Sequence, residues 1–209
     1  MTEVLSNNLD GIMSSDIIGR LGLAPKKYIL LSAHREENID SEKNFRSLFN
    51  ALNALAEKYD MPILYSCHPR SQKRIEQSEI ALDKRIIRHA PLGFFDYNNL
   101  QMNAFVVVSD SGTLPEESAF YAANSHSFPA VCIRTSTERP EAMDKANFVL
   151  AGVSEESLLQ AVELAVTMNE DGESASPVYD YSEKNVSTKV VKIIQSYTGI
   201  VDRFVWRKP

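Results

Sequence analysis

Residues 105–117 read FVVVSDSGTLPEE and decide the fold that we predict. The first four are apolar and three of them are valine, which is typical of a strand buried on both faces of a sheet. After a short polar turn come Pro115, Glu116 and Glu117, and proline and carboxylates are both favoured in the first turn of a helix. The segment therefore predicts a central strand, a tight turn and a helix.

The same alternation extends on both sides of this segment. Helical or polar patterns separate five further apolar runs, which we predict as strands: Tyr28 to Leu31, Ile63 to Cys67, Arg85 to His89, Pro129 to Ile133 and Phe148 to Leu150. Strands that alternate with helices at this spacing predict an α/β protein, with a doubly wound, parallel, Rossmann-like sheet and helices on both faces.

We divide the chain into three parts. Residues 1–24 have weak apolar spacing, interrupted by Asn and Gly, and we expect an irregular lead-in there. Residues 25–176 should form the Rossmann-like domain, which ends in a small-residue, acidic linker from Asn169 to Ser176. Residues 177–209 contain a helical pattern over Glu183 to Tyr197 and an aromatic tail. Such a tail needs a surface to pack on, either on another domain or on its own.

Composition and charge exclude several classes of protein. The 209 residues are 44% apolar and 24% charged, as in soluble globular domains. The net charge is −6 without a basic cluster, so we expect no nucleic-acid partner. We find no apolar run of membrane-spanning length and no secretory signal, so we expect a cytoplasmic protein with no membrane partner. Cys67 and Cys132 lie within predicted strands and are expected to be reduced and buried.

The candidate site consists of polar turns that follow the predicted strands, because parallel sheets bind ligands at the carboxyl ends of their strands. Ser111 and Gly112 lie between a strand and a helix, where free amides and the helix dipole favour an anion such as phosphate. Cations in the other turns are His34, Arg35, His68 and Arg70. For each of these residues, helix capping or a surface ion pair is the alternative. Glu117 could be a surface acid or could accept hydrogen bonds from sugar hydroxyls.

Other types of site fit the sequence poorly. A nucleophile elbow needs glycine at the positions that Ser109 and Thr113 occupy around Ser111. We expect no metal site, because the histidines are scattered and no C-x-x-C motif is present. Neither the G-x-G-x-x-G motif of dinucleotide sites nor a P-loop motif occurs.

Three motifs together resemble those of the non-hydrolysing UDP-N-acetylglucosamine 2-epimerase family. They are HREEN at 34–38, SDSG at 109–112 with glutamates at 116 and 117, and TERPE at 137–141; their order and spacing agree over residues 28–165. The resemblance implies one half of a two-domain, glycosyltransferase-B-like fold, because these motifs belong to the family's C-terminal domain. It also implies that residues 177–209 pack on the N-terminal domain missing from this sequence, and that the full-length enzyme is a homodimer.

The resemblance assigns roles to the matching positions of this chain. Ser111 and Gly112 would hold the UDP diphosphate, Glu117 would bind the ribose, and the turn from Pro91 to Phe94 would lie by the uracil. His34 would assist at the diphosphate, and it is the residue that we predict to be catalytic. The other predicted substrate-binding residues are Arg139 of the third motif and three that match an activating UDP-sugar site of bacterial relatives, Arg35, Glu37 and His68.

The family's reaction removes the proton at C2 of the sugar, expels UDP to leave a glycal-like intermediate, and adds UDP back with C2 inverted. The resemblance therefore implies conversion of UDP-N-acetylglucosamine to UDP-N-acetylmannosamine, with no metal, nicotinamide or other cofactor. The carboxylates that move the proton belong to the N-terminal half. We therefore expect this chain alone to bind UDP but not to epimerise.

Two departures from the family pattern leave the substrate open. Thr113 replaces the second glycine and precedes Leu114 and Pro115, as in a branch that 2-epimerises a 6-deoxy UDP-sugar in the UDP-N-acetyl-L-fucosamine pathway. Residues 122–128 replace a short turn that normally contains glycine. The sequence is also compatible with a nucleotide-sugar-binding domain of a glycosyltransferase, or with a non-catalytic interaction module that keeps the fold.

Overall fold

A computed structural model describes residues 1–172 and 176–208 of the chain. Within them, six parallel strands form one sheet in the order β3-β2-β1-β4-β5-β6. The strands are β1 (Ile29–Ser32), β2 (Ile63–Ser66), β3 (Ile86–His89), β4 (Val106–Ser109), β5 (Ala130–Ile133) and β6 (Val149–Ala151). This is the strand order of a doubly wound Rossmann-like sheet, so the predicted fold class is confirmed.

Helices connect the strands and flank the sheet. Those of the described residues are α1 (Thr2–Met13), α2 (Ile17–Arg20), α3 (Glu36–Ile39), α4 (Glu42–Tyr59), α5 (Pro69–Gln77), α6 (Phe94–Asn103), α7 (Leu114–Ala123), α8 (Pro140–Met143), α9 (Glu155–Glu170) and α10 (Val186–Phe204). The long helices α4 and α9 begin at capping residues: Ser41 accepts a hydrogen bond from an amide of α4, and Ser154 does the same for α9.

The core lies on both faces of the sheet. Successive side chains of a strand point to opposite faces, so Ile29 and Leu31 of β1 pack with α4 and α9, whereas Leu30 packs with α1, α6 and α7. The valines of β4 divide in the same way, and all three are fully buried. A short strand buried on both faces explains why the chain uses continuous apolar runs instead of alternating ones.

The first 24 residues are not irregular, and that expectation was wrong. They contain α1 and α2, and Leu5 and Ile12 of α1 are fully buried in the core. Asn99 of α6 donates to the carbonyl of Ile12 over 2.9 Å. A Cβ at Gly11 would lie 2.8 Å from a ring carbon of Phe95, so the glycine allows α1 and α6 to approach closely.

The sequence predicts a helix over Glu183 to Tyr197, and α10 confirms it. The helix begins at Val186 and continues past the predicted end, to Phe204. None of its residues is buried. The apolar side chains of the helix and tail that remain 47–70% exposed are Val186, Val190, Val191, Ile193, Ile194, Tyr197, Ile200, Phe204, Val205 and Trp206. The tail is therefore not docked on the described part of its own domain. Residues 173–175 of the predicted linker, and Pro209, lie outside the described residues.

No helix in the described ranges combines the length and apolar character needed to cross a membrane.

The stretch at residues 122–128 forms a left-handed turn after α7. Ser125 has a φ of 64°, a conformation that favours glycine. On either side, Asn124 Nδ2 donates to the carbonyl of Phe120 over 2.7 Å and Ser127 Oγ to Asn169 Oδ1 over 3.1 Å. Serine thus takes the left-handed position here, and neighbouring side chains support the turn.

Candidate functional site

The candidate site lies at the centre of the sheet, where the order of the strands reverses. Strands β1 and β4 are neighbours, and Ser32 pairs with Ser109 at their carboxyl ends. The loops that follow them, residues 33–38 and 109–113, consequently lie side by side. Ligands of doubly wound sheets bind at such a switch point.

A buried carboxylate joins these two loops. Asp110 is fully buried, and its Oδ2 accepts hydrogen bonds from the amides of His34 (3.0 Å) and Arg35 (2.9 Å) and from Asn38 Nδ2 (3.1 Å). Asn38 also donates to the carbonyl of Ile133 at the end of β5, over 3.0 Å. These charge-assisted hydrogen bonds offset the cost of burying the carboxylate. Sequence reasoning assigned no role to Asp110 or Asn38, although both lie within the quoted motifs.

Arg35 lies across the loop that follows β4. Its Nε donates to the carbonyl of Asp110 over 2.9 Å, and a Cβ at Gly112 would lie 3.3 Å from its Nη2. The missing side chain at Gly112 leaves the backbone open beside the guanidinium. A guanidinium next to the N-terminal amides of α7 favours a phosphate or a diphosphate.

His34, the predicted catalytic residue, is oriented by the same buried carboxylate. Its Nδ1 lies 3.3 Å from Asp110 Oδ1, and the side chain is about half exposed. A histidine held through one ring nitrogen can offer the other to a ligand. The structure thus places the ring of His34 against Asp110, in the loop that also carries Arg35.

Glu117 is buried and does not stand open in a cleft. It is 8% exposed; Oε2 accepts from Gln101 Nε2 over 2.7 Å, and Oε1 accepts from the Thr113 hydroxyl over 2.8 Å. Thr113 Oγ1 also lies 3.0 Å from Ser111 Oγ. Burial raises the pKa of Glu117, and the two hydrogen bonds oppose that shift. Ser111 and Glu117 are therefore linked through a residue to which sequence reasoning gave no role.

Within the described residues Arg139 forms no ion pair with its acidic neighbours in the third motif, Glu138 and Glu141, although its Nη1 donates to the backbone carbonyl of Glu138 over 3.2 Å. Its Nε and Nη2 lie 3.2 Å and 3.1 Å from Glu116 Oε1, in the first turn of α7. Glu141 instead accepts a hydrogen bond from the hydroxyl of Tyr181. Arg139 thus contacts α7 one position before Glu117.

Of the remaining predicted site residues, Glu37 and Arg70 line a cleft and His68 caps a helix. An open cleft of about 580 Å³ is lined by His34, Arg35, Glu36, Glu37 and Arg70. The charge of Arg70 is balanced by Glu36, whose Oε1 lies 3.0 Å from its Nη1, and by Asp40. His68 begins α5, and its Nδ1 accepts the amide hydrogen of Arg70 at 3.2 Å. The capping alternative therefore holds for His68.

A further buried residue to which sequence reasoning assigned no role lies near Glu37. Arg134 follows β5 and is 7% exposed. Its Nε lies 3.8 Å from Glu37 Oε1, and its Nη2 lies 3.3 Å from Glu138 Oε1. Within the described residues Nε makes no hydrogen bond, so the guanidinium faces Glu37 only through this longer ionic contact. The only signal for Arg134 in the sequence is a cation directly after a buried strand.

Both cysteines are free and buried, as predicted. Burial raises the pKa of Cys132 to about 11 and also raises that of Cys67. A thiol with a raised pKa stays protonated at neutral pH and is a poor nucleophile. Neither cysteine therefore competes with the loops at β1 and β4 as a reactive centre.

Comparison with known proteins identifies the family to which the chain belongs. The family model for UDP-N-acetylglucosamine 2-epimerase matches residues 2–195. The UDP-N-acetylglucosamine 2-epimerase of Methanococcus maripaludis is 32% identical over 149 residues, which are 69% of this chain and 39% of that protein. The structure of UDP-N-acetylglucosamine 2-epimerase from Rickettsia bellii gives a TM-score of 0.82 at 36% identity, covering 99% of this chain and 54% of that one.

A further solved structure supports the fold. The UDP-GlcNAc 2-epimerase of Methanocaldococcus jannaschii, in complex with UDP-GlcNAc and UDP, gives a TM-score of 0.76 at 24% identity and covers 93% of this chain and 52% of that one. The chain thus spans about half the length of these structures and 39% of the curated relative. The family match disfavours the glycosyltransferase alternative and includes α1, which lies in the core. This chain belongs to the UDP-N-acetylglucosamine 2-epimerase family.

Proposed function

We propose that this chain is the UDP-binding, C-terminal half of a non-hydrolysing 2-epimerase that converts UDP-N-acetylglucosamine to UDP-N-acetylmannosamine. The observation that carries the proposal is the guanidinium of Arg35 over Gly112, at the beginning of α7. A cation beside an open backbone and a helix N-terminus suits a diphosphate. Family membership supports a UDP-sugar as the ligand that contains this diphosphate.

In this proposal the nucleotide lies along residues 111–117. The diphosphate binds Ser111 and Gly112, with His34 and Arg35 beside it, and the uracil lies by the turn from Pro91 to Phe94. Glu117 binds the ribose. Both of its oxygens already accept one hydrogen bond, but a carboxylate oxygen can accept a second one from a ribose hydroxyl.

The proposed reaction is elimination followed by re-addition. A base removes the C2 proton, the C–H electron pair forms a C1–C2 double bond, and UDP leaves with the electrons of the C1–O bond. A UDP oxygen then re-forms the bond to C1, while a proton adds to C2 from the opposite face. His34, held by Asp110, stabilises the charge on the departing diphosphate. The groups that move the proton belong to the N-terminal half, so this chain alone binds UDP without epimerising it.

The proposal includes a second domain. The apolar side chains that α10 exposes support packing of residues 177–209 on an N-terminal half. Full burial of an exposed apolar side chain contributes about 1.5–3 kcal/mol, and the gain here is proportionally smaller because these side chains are already partly covered. A homodimer of the full-length enzyme belongs to the same proposal and rests on the resemblance. The cytoplasmic location that we expect from the sequence belongs to it as well.

The activating UDP-sugar site also remains a proposal. Arg35 and Glu37 line one cleft, which supports their part in it. His68 caps α5, so its part requires the free ring nitrogen, Nε2, to reach the ligand. Arg139 remains a proposed substrate contact beside Glu116.

Calorimetric titration of this chain with UDP tests the proposed site. Ser111→Ala should weaken UDP binding by about 1.5–3 kcal/mol, the range for a hydrogen bond to a charged group. As a matched control, Ser127→Ala removes a hydroxyl from the loop between α7 and β5 and should leave the affinity unchanged. Equal affinity of the native chain for UDP and uridine would contradict the diphosphate site.

The reaction is tested by combining this chain with an N-terminal half and following the C2 proton of UDP-N-acetylglucosamine in deuterated water by NMR. We expect the C2 proton to exchange and the signals of UDP-N-acetylmannosamine to rise. Turnover of a 6-deoxy UDP-sugar alone would contradict the proposed substrate and favour the fucosamine branch.

A further inference from the structure

We infer that Thr113 is a positioning residue whose hydroxyl holds the carboxylate of Glu117 in place at the ribose end of the site. The inference rests on the proposed function and concerns the position where threonine replaces a family glycine. The hydroxyl stands in the middle of a hydrogen-bonded chain. Ser111 Oγ lies 3.0 Å from Thr113 Oγ1, which lies 2.8 Å from Glu117 Oε1, and Glu117 Oε2 lies 2.7 Å from Gln101 Nε2.

Helix capping does not account for Thr113. A capping threonine accepts a hydrogen bond from an amide one turn into the helix. Thr113 precedes α7, but its side chain makes no such bond to the described helix, and its own φ and ψ of −91° and −14° are helical. Its hydroxyl contacts only Ser111 and Glu117 among the described residues. The hydroxyl therefore serves the site and not the helix end.

The direction of each hydrogen bond follows from the number of protons available. An ionised Glu117 only accepts, so Thr113 donates its single hydroxyl proton to Glu117, and Ser111 donates its own to Thr113. A diphosphate also only accepts, so Ser111 turns its proton to the phosphate when the nucleotide binds. Thr113 continues to donate to Glu117. Binding thus replaces a neutral hydrogen bond by a stronger charged one and leaves the acid in place.

The buried surroundings of Glu117 increase the effect of this contact. Gln101 is fully buried, and its Nε2 donates a hydrogen bond to Glu117. Its Oε1 has no hydrogen-bond partner within the described residues. Loss of the Thr113 hydroxyl would leave the carboxylate a single donor and would raise its pKa further. The titratable groups that face this carboxylate are Glu116, the amino group of Met1, Tyr97 of α6 and Tyr121 of α7.

A matched pair of variants separates the hydroxyl from the shape of the side chain. Thr113→Val keeps the shape without the hydroxyl, and Thr113→Ser keeps the hydroxyl. We expect Thr113→Val to raise the pKa of Glu117. Titration of the ligand-free chain, monitored by the carboxyl ¹³C NMR signal, measures that pKa. In calorimetry, Thr113→Val should also lower the affinity for UDP by about tenfold and should lower the affinity for pyrophosphate by less. Thr113→Ser should match the native chain in both measurements.

Three results would overturn the inference: equal effects of the two substitutions, an unchanged pKa of Glu117 in Thr113→Val, or tighter UDP binding by that variant. The last would mean that the hydroxyl occupies the place of a ribose hydroxyl. If the valine variant fails to fold, Thr113→Gly restores the family residue and should give the same raised pKa. If the native chain did not bind UDP, only the proposed function would be refuted. The Thr113 contact would still be tested, because the pKa of Glu117 is measured without nucleotide.

Discussion

Removal of the Asp110 carboxylate should strongly destabilise this chain. In Asp110→Ala, three donors lose their acceptor: the amides of His34 and Arg35, and Nδ2 of Asn38. Each unsatisfied buried donor costs about 1–3 kcal/mol. We take the lower value because two of the donors belong to a surface loop that water can reach after rearrangement. The expected loss is about 3 kcal/mol, a large part of the stability of a typical domain.

Asp110→Asn separates the charge from the geometry of the acceptor. The amide oxygen can replace Oδ2, and the amide nitrogen then takes the place of Oδ1, where it can face Nδ1 of His34 but loses the hydrogen bond that Oδ1 accepts from the His34 amide over 3.1 Å. Hydrogen bonds to a neutral acceptor are each weaker by about 1 kcal/mol, but the cost of burying a charge disappears. We therefore expect a loss of about 1–2 kcal/mol.

Urea unfolding followed by far-UV circular dichroism measures both losses, provided that the dependence of the free energy on urea stays the same. Asp144→Ala is the matched control: Asp144 is exposed, and its removal should change the free energy of unfolding by less than about 0.5 kcal/mol. A loss below about 1 kcal/mol in Asp110→Ala would refute the argument that this carboxylate holds the two loops together. Equal losses in the alanine and asparagine variants would show that charge, and not acceptor geometry, dominates.

Three further substitutions test separate features. Ser125→Gly should stabilise the chain by about 0.5–1 kcal/mol in thermal unfolding, because relief of left-handed strain exceeds the entropy cost of glycine; lower stability would contradict this. Gly112→Ala puts a Cβ 3.3 Å from Arg35 Nη2 and should weaken UDP binding at least about tenfold in calorimetry, whereas unchanged affinity would exclude close approach of the diphosphate. Because burial raises the pKa of Glu117, the native chain should gain stability over Glu117→Gln as pH falls through that raised pKa towards 4.5. Urea unfolding at several pH values measures the gain, and a pH-independent difference would contradict it.

The sheet could be predicted from the sequence, because its strands are short apolar runs between turn-forming residues. Helix α1 could not be predicted in the same way. Leu5 and Ile12, its fully buried residues, are two helical turns apart, and the polar residues between them conceal the period. Only packing against α6 shows which side of α1 is buried, and that contact joins distant parts of the chain.

The sequence predicts which loops carry the candidate site, but it does not predict how their side chains pair. The motifs contain Asp110, His34 and Arg139, yet the contact of Asp110 with His34 depends on β1 and β4 being neighbours. The contact of Arg139 with Glu116 likewise depends on the approach of α8 to α7. Glu117 was predicted to be either a surface acid or an acceptor for sugar hydroxyls. The structure excludes the surface acid, and its burial with both oxygens hydrogen-bonded could not be predicted, because Gln101 is distant in the chain.

The same topology explains how the loops of the candidate site are ordered before any ligand binds. Strand order places the loops after β1 and β4 side by side, and Asp110 accepts hydrogen bonds from the amides of both His34 and Arg35. That arrangement fixes the backbone of a loop that would otherwise have to be ordered by the ligand. Ordering during folding removes an entropy cost from binding. The stability lost in Asp110→Ala and the UDP affinity lost in that variant should therefore have one origin, the freedom of residues 33–38.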